Sequence, residues 1–196
     1  EHWLHSDSLS LLETVDCSFS SWGRCSSEGN DDSISRREKG GISFLWRKEM
    51  NICIDPMNEL DRILVLRVKL LDDTYVYIIG VYLPTTSEPA DTFNYRLKLL
   101  EDESLGLCNN GSIIILGDLN AHIGQLAGER SFTKINSRGR CVHRIVDNLN
   151  LFLLTRRACV KDPLKHFMGA RDLLGQLEIT YLFQENLVPL SLNVLL

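Results

Sequence analysis

The chain has 196 residues, about one domain's length, with 44% hydrophobic and 24% charged residues, a balance that excludes a disordered or low-complexity chain. No run approaches the ~18 uninterrupted apolar residues of a membrane span, so no membrane association is expected. The formal net charge of −5 gives no support for a general polyanion-coating surface, although basic residues cluster at Arg36-Arg37-Lys39, Arg138-Arg140-His143-Arg144 and Arg156-Arg157-Lys161. Taken singly, such clusters read as solvated faces.

Cys17, Cys25, Cys53, Cys108, Cys141 and Cys159 are scattered with no C-x-x-C pair, which argues against a zinc site. The opening Glu1-His2-Trp3-Leu4-His5 is neither a basic n-region nor an apolar h-region. Reduced thiols in an intracellular compartment are therefore expected. Because the first residue is not Met, the sequence is read as a fragment or a processed chain.

In chain order, residues 17–40 are rich in Ser, Gly, Asp and Arg and read as a flexible surface loop. Strands are expected at Gly41–Trp46 and Asn51–Ile54. Ile63–Leu70 places Leu64, Leu66, Val68 and Leu70 on one face, with Arg67 and Lys69 on the other. After the polar turn Leu71-Asp72-Asp73-Thr74, Tyr75–Tyr82 returns as its hairpin partner and ends at Leu83-Pro84. A helix is predicted over Pro89–Leu105, capped by Ser87, with Phe93, Leu97 and Leu100 as its apolar stripe; Asn109-Asn110-Gly111 stops it.

Ser112–Leu116 is short, β-branched and apolar, the signature of a strand buried on both faces. A second helix is expected over Val142–Leu149, with Val142, Ile145, Val146 and Leu149 inward. Strands follow at Leu151–Thr155 and Ile179–Phe183. Hairpins mixed with helical crossovers imply an α+β fold, two packed, mainly antiparallel β-sheets with helices outside, in one domain over residues 1–196.

Gly117-Asp118-Leu119-Asn120 follows the buried strand directly, where polar side chains leave the core at a sheet's end. A carboxylate and an amide two residues apart can orient or deprotonate a water and donate to a phosphate oxygen as charge develops. The same four residues read equally as an Asx turn closing a strand. A strand-end tyrosine such as Tyr82 is by itself a common packing residue.

Together, Glu1-His2-Trp3-Leu4, Val81-Tyr82-Leu83-Pro84, Gly117-Asp118-Leu119-Asn120-Ala121-His122, Asn136-Ser137-Arg138-Gly139 and Ile179-Thr180-Tyr181 resemble successive motifs of the endonuclease/exonuclease/phosphatase superfamily. Within it the sequence is most similar to the endonuclease domain of non-LTR (LINE-type) retrotransposons and their domesticated, craniofacial-development-protein-2-like relatives. The resemblance covers nearly the whole chain. It implies a four-layer αββα sandwich of the DNase I-like type, and metal-dependent phosphodiester hydrolysis of DNA.

By residue, the resemblance makes Glu1 the ligand of a catalytic Mg²⁺ (or Mn²⁺) and Tyr82 a contact to the scissile phosphate. It makes Asp118 and Asn120 the pair that positions water and phosphate. His122 does not match the family's catalytic histidine and reads as a surface loop residue. DNA is the implied partner, with a reverse transcriptase domain in the full element and a nuclear setting.

The sequence departs from the pattern at both ends. The family's first strand, with its metal-holding Asn, belongs before Glu1, and the closing Ser-Asp-His motif is absent. Thr180 occupies the position of the Asp that orients the catalytic His, and Thr cannot stabilise an imidazolium as a carboxylate does. Glu178 lies on the same strand face but roughly 6–7 Å away. Residues 184–196 read as a degenerate terminus. These departures predict impaired or absent catalysis. The competing readings are a non-catalytic retroelement-derived remnant or binding module, and a phosphatase or phosphodiesterase of the same superfamily acting on a non-nucleic-acid substrate.

Overall fold

The computed structural model describes residues 4, 6–14, 16–25, 41–50, 53–60, 62–124, 134–155 and 180–184. Eight strands and two α-helices make up the described framework: β1 (Phe19–Arg24), β2 (Ile42–Arg47), β3 (Cys53–Leu60), β4 (Ile63–Lys69), β5 (Tyr75–Tyr82), α1 (Ala90–Cys108), β6 (Ser112–Asp118), α2 (Ser137–Asn148), β7 (Leu151–Thr155) and β8 (Thr180–Gln184). A 3₁₀ helix over Ser6–Thr14 precedes them.

The hairpin of β4 and β5 forms the centre, because Ile63–Leu66 and Val76–Ile79 are buried and apolar on both faces. They sit in a six-stranded sheet of order β3-β4-β5-β6-β8-β7, antiparallel except where β5 runs parallel to β6. A parallel neighbour requires a crossover, and α1 supplies it. One face of the sheet carries Ile63, Val65, Ile79, Val81, Ile113 and Ile115 against Phe93, Leu97, Leu100, Val142 and Ile145 of the helices. The other face buries Leu64, Leu66, Val68, Val76, Ile78, Ile114 and Leu116 under Phe44, with Trp22, Ile42 and Trp46 packed alongside.

Those last aromatic and aliphatic residues belong to the two-stranded sheet of β1 and β2. On its outer side the 3₁₀ helix closes in: a Cβ at Gly23 would lie 2.8 Å from Leu12 Cδ1. The layers are thus helix, six-stranded sheet, two-stranded sheet and short helix, the expected sandwich of two sheets with helices outside.

Several boundaries differ from expectation for identifiable reasons. The loop read over 17–40 is in part strand β1, because Phe19 and Trp22 have β2 to pair with and a sheet face to cover; residues 26–40 lie outside the described residues. Strand β3 runs six residues past Ile54, through Pro56. It is the edge strand, and its register slips between Pro56 and Asn58, so the missing N–H breaks no central ladder.

Ser87 does not cap α1. Its Oγ lies 2.7 Å from Thr85 Oγ1, and Pro89 holds the cap position with an extended ψ of 147°. The helix continues past Leu105 because Leu107 buries one more turn. Helix α2 starts five residues before Val142, since the Asn136 side chain accepts from Gly139 N at 2.7 Å and nucleates an earlier turn. Among the described residues, no helix is long and apolar enough to cross a membrane.

Candidate active site

Strands β5 and β6 run parallel in a register that makes Tyr82 and Asp118 direct partners. Side chains alternate along each strand, so Tyr82 follows Ile78 and Gly80, and Asp118 follows Ile114 and Leu116, on the face toward β1 and β2. Gly80 marks that face, because a Cβ there would sit 2.7 Å from Phe44 Cζ. Tyr82 and Asp118 therefore stand side by side just beyond the rim of the inter-sheet core, the phenol half-buried and the carboxylate exposed.

The strand reaches Asp118 rather than stopping at Leu116, and Gly117 permits it. At φ 141°, Gly117 occupies a conformation that L side chains rarely adopt, and a Cβ would collide with the Val81 carbonyl. Leu83 N donates to Asp118 O at 2.9 Å, prolonging the β5–β6 ladder by one rung.

Beyond the strand, Asp118 Oδ1 accepts from Asn120 N at 2.8 Å, so the Asx turn read from the sequence is present. Asn120 does not project beside Asp118 as spacing predicted. Its φ of 45° turns the side chain back, and Nδ2 donates to Leu83 O at 2.7 Å. A carbonyl can only accept, which fixes the amide's orientation. One amide hydrogen is thereby committed to joining the ends of β5 and β6, and Asp118 Oδ2 has no partner among the described residues.

Helix α2 holds this loop from outside. Asn136 N donates to His122 O at 3.0 Å, while His122 N donates to Asn136 Oδ1 at 3.3 Å. The Arg138 guanidinium donates to Pro84 O at 2.6 Å and to Glu88 O at 3.1 Å, with its Cζ 4.5 Å from the Phe93 ring centroid. Arg138 is thus no part of a solvated basic face; it locks the β5–α1 loop. His122 is exposed, as expected of a loop residue.

A second buried cluster borders Tyr82. Arg62, at φ 56° in the turn between β3 and β4, places its Cζ 5.7 Å from the Tyr82 ring centroid. Its Nη1 meets Glu88 Oε1 at 2.8 Å, and Glu88 Oε2 meets Arg96 Nη1 at 3.1 Å. The reading from sequence missed Arg62, Glu88 and Arg96, and placed Arg138 in a basic cluster and a family-like motif without foreseeing its two carbonyl partners. The hairpin register could have revealed Arg62: counting back from the turn pairs Leu64 with Gly80, which brings Arg62 opposite Tyr82.

Of the expected site residues, Tyr82, Asp118 and Asn120 come together and Glu1 lies outside the described residues, as does Glu178. Thr180 heads β8, paired with Gly117 on one side and Thr155 on the other, so this position does adjoin the Asp118 strand. Among the described residues no three His, Cys, Asp or Glu side chains gather into a metal site. Asp118 and Asn120 offer oxygen donors suited to a hard cation, but alone they do not form a centre for one.

No family model and no curated protein matches the sequence. Among solved structures, the 3'-5' exonuclease NExo from Neisseria meningitidis superposes with a TM-score of 0.51 at 15% identity, over 93% of this chain and 73% of that one. The fold is DNase I-like. The structure of D. rerio TDP2 complexed with single strand DNA product aligns over 95% of this chain and 70% of that one, with a TM-score of 0.47 and 10% identity.

Proposed function

We propose that the chain is an endonuclease-type phosphodiesterase scaffold acting on DNA, with hydrolysis slowed by the residue at position 180. The single observation that carries this reading is the pairing of Tyr82 with Asp118 on the inter-sheet face, at the end of two parallel strands in a DNase I-like fold. There the Tyr82 phenol donates to a non-bridging oxygen of the bound phosphate. The uncommitted Oδ2 of Asp118 orients or deprotonates the attacking water, and the second amide hydrogen of Asn120 donates to the phosphate as charge develops. Gly117 and the Asn120–Leu83 bond fix these groups before substrate arrives.

The family resemblance assigns a Mg²⁺ or Mn²⁺ ion to Glu1; a hard cation held with the substrate would neutralise phosphate charge. Thr180 limits the rate, because an uncharged side chain in this place cannot orient or stabilise a protonated base. The LINE-type likeness of Val81-Tyr82-Leu83-Pro84 and Gly117-Asp118-Leu119-Asn120 favours DNA over inositol phosphates. A nuclear setting and a reverse transcriptase domain in the full element go with it.

The same threonine favours a second reading, a scaffold that binds the phosphodiester backbone without turning it over. Supercoiled plasmid, abasic DNA and inositol phosphates incubated with Mg²⁺ and excess protein distinguish the readings. Plasmid nicking above an Asp118→Ala control is expected. Equal rates for the two proteins leave only the binding scaffold, and selective release of phosphate from the inositol substrates overturns the DNA assignment.

A further inference from the structure

We propose that Arg62 is a positioning residue for Tyr82: braced by Glu88, its guanidinium holds the phenol ring at the end of β5 and strengthens the hydroxyl as a donor to phosphate. The inference rests on the proposed phosphodiester site and names a residue on which that site depends without touching the ligand. Its observation is a two-point contact. Tyr82 N donates to Arg62 O at 3.1 Å, and the Arg62 Cζ lies 5.7 Å from the Tyr82 ring centroid. The turn between β3 and β4 thus grips both the backbone and the ring of the last residue in β5.

The brace behind Arg62 draws on the β5–α1 loop and both helices. Arg62 Nη1 meets Glu88 Oε1 at 2.8 Å, and the second oxygen of Glu88 meets Arg96 Nη1 of α1 at 3.1 Å, with the Arg96 side chain 3% exposed. The Glu88 carbonyl accepts from Arg138 Nη2 of α2 at 3.1 Å. Glu88 is therefore fixed at its carboxylate and its backbone together. It turns the Arg62 guanidinium inward, away from any ligand, and leaves that side chain only 14% exposed.

Arginine is a costly residue for this turn. It adopts φ 56°, which glycine or asparagine would take more easily, and its buried Nε has no hydrogen-bond partner among the described residues. The ion pair does not require it, because Arg96 would still neutralise Glu88 in its absence, and buried pairs of this kind add little net stability. The contact with Tyr82 is where that cost has a use. A guanidinium close to an aromatic ring is attracted to it, more strongly once desolvated, and so restrains the ring's rotation. The same positive charge draws electron density from the phenol, which makes its O–H a stronger donor to an anionic oxygen.

Chemical-shift titration of the full chain, isotope-labelled at tyrosine Cζ, with the dinucleotide TpT tests this alongside thermal melting. Arg62→Asn suits the left-handed turn, leaves the Glu88–Arg96 pair intact and removes the cation at the ring. It is expected to melt no lower than the wild type and to bind TpT about fivefold more weakly. The Tyr82 Cζ signal, identified by its loss in Tyr82→Phe, should shift at saturation in the wild type and shift less in Arg62→Asn. In a Tyr82→Phe background Arg62→Asn should have no further effect on affinity, because the hydroxyl it acts through is gone. Equal affinities, a loss that persists in that background, or melting well below the wild type overturns the role of Arg62 and leaves the phosphodiester site standing. Failure of the wild type to bind TpT overturns both.

Discussion

Gly139, in the first turn of α2, lies directly against the carbonyl of His122: a Cβ there would collide with His122 O and come within 3.1 Å of Ile135 Cγ1. The helix can therefore dock on the loop after Asp118 only with a glycine at this place. Its backbone contact is made while Asn136 bonds both edges of His122.

Gly139→Ala is expected to destabilise the fold by about 1–3 kcal/mol, the usual range for overpacking a fitted contact. Thermal melting checks the size. Amide exchange should show the loss spreading to residues 119–123, because that loop has to move.

Asn120 combines a left-handed backbone with the bond to Leu83 O, and two substitutions separate them. Asn120→Gly keeps the backbone and loses the bond, for about 1 kcal/mol. Asn120→Ala loses the bond and adds the left-handed penalty, roughly 1–2 kcal/mol more. Urea denaturation of the two variants should rank them in that order.

Arg138 reaches two carbonyls with one planar fork, at Pro84 and Glu88. A lysine ammonium cannot bridge both from the same stem. Arg138→Lys and Arg138→Ala are both expected to destabilise, Ala by about 2–3 kcal/mol. Faster exchange of the Glu88 amide, which donates to Thr85 O at 3.0 Å, would report the loosened loop.

Acid should loosen the outer hairpin of β3 and β4. The hydrogen bond from Arg67 holds the Asp55 carboxyl below its ordinary value, with a smaller contribution from Cys53 and the Arg67 charge. A depressed folded-state pKa contributes stability that is present above the unfolded value, about 3.9, and is lost as pH falls through the folded one. The pair is 39% and 42% exposed, so the effect is small and screened by salt. Asp55→Asn should lower stability slightly at neutrality, where the carboxylate contributes in full, and flatten the stability–pH curve below about pH 4.

The parts of this fold legible in the sequence are those governed by one local pattern. Alternation of Leu66, Val68 and Leu70 with Arg67 and Lys69 defined β4, the wholly apolar Ile113-Ile114-Ile115 defined β6, and the spacing of Phe93, Leu97 and Leu100 defined the buried face of α1. Strand β1 was hidden because Ser, Gly and Arg dilute Phe19 and Trp22, whose burial depends on a partner strand far along the chain.

The site followed the same division. Tyr82 and Asp118 could be named from motif, but their contact is a parallel register across a crossover, which no local signal encodes. Arg62 escaped notice and the part played by Arg138 was not foreseen, since each acts through distant backbone or aromatic groups: Arg62 over Tyr82, and Arg138 at Pro84, 54 residues earlier. Asn120 takes a different posture from the one expected, because its backbone turns left-handed and its amide bonds Leu83 O.

A double-mutant cycle on plasmid nicking, with Tyr82→Phe, Asp118→Ala and the pair together, tests most directly whether these two strand ends serve one site. If phenol and carboxylate act on one phosphate, each single change should slow nicking at least tenfold, and the double variant should be no slower than about the worse single one. Effects that simply multiply, or single variants as fast as the wild type, would contradict the assignment of these two strand ends to one reacting phosphate.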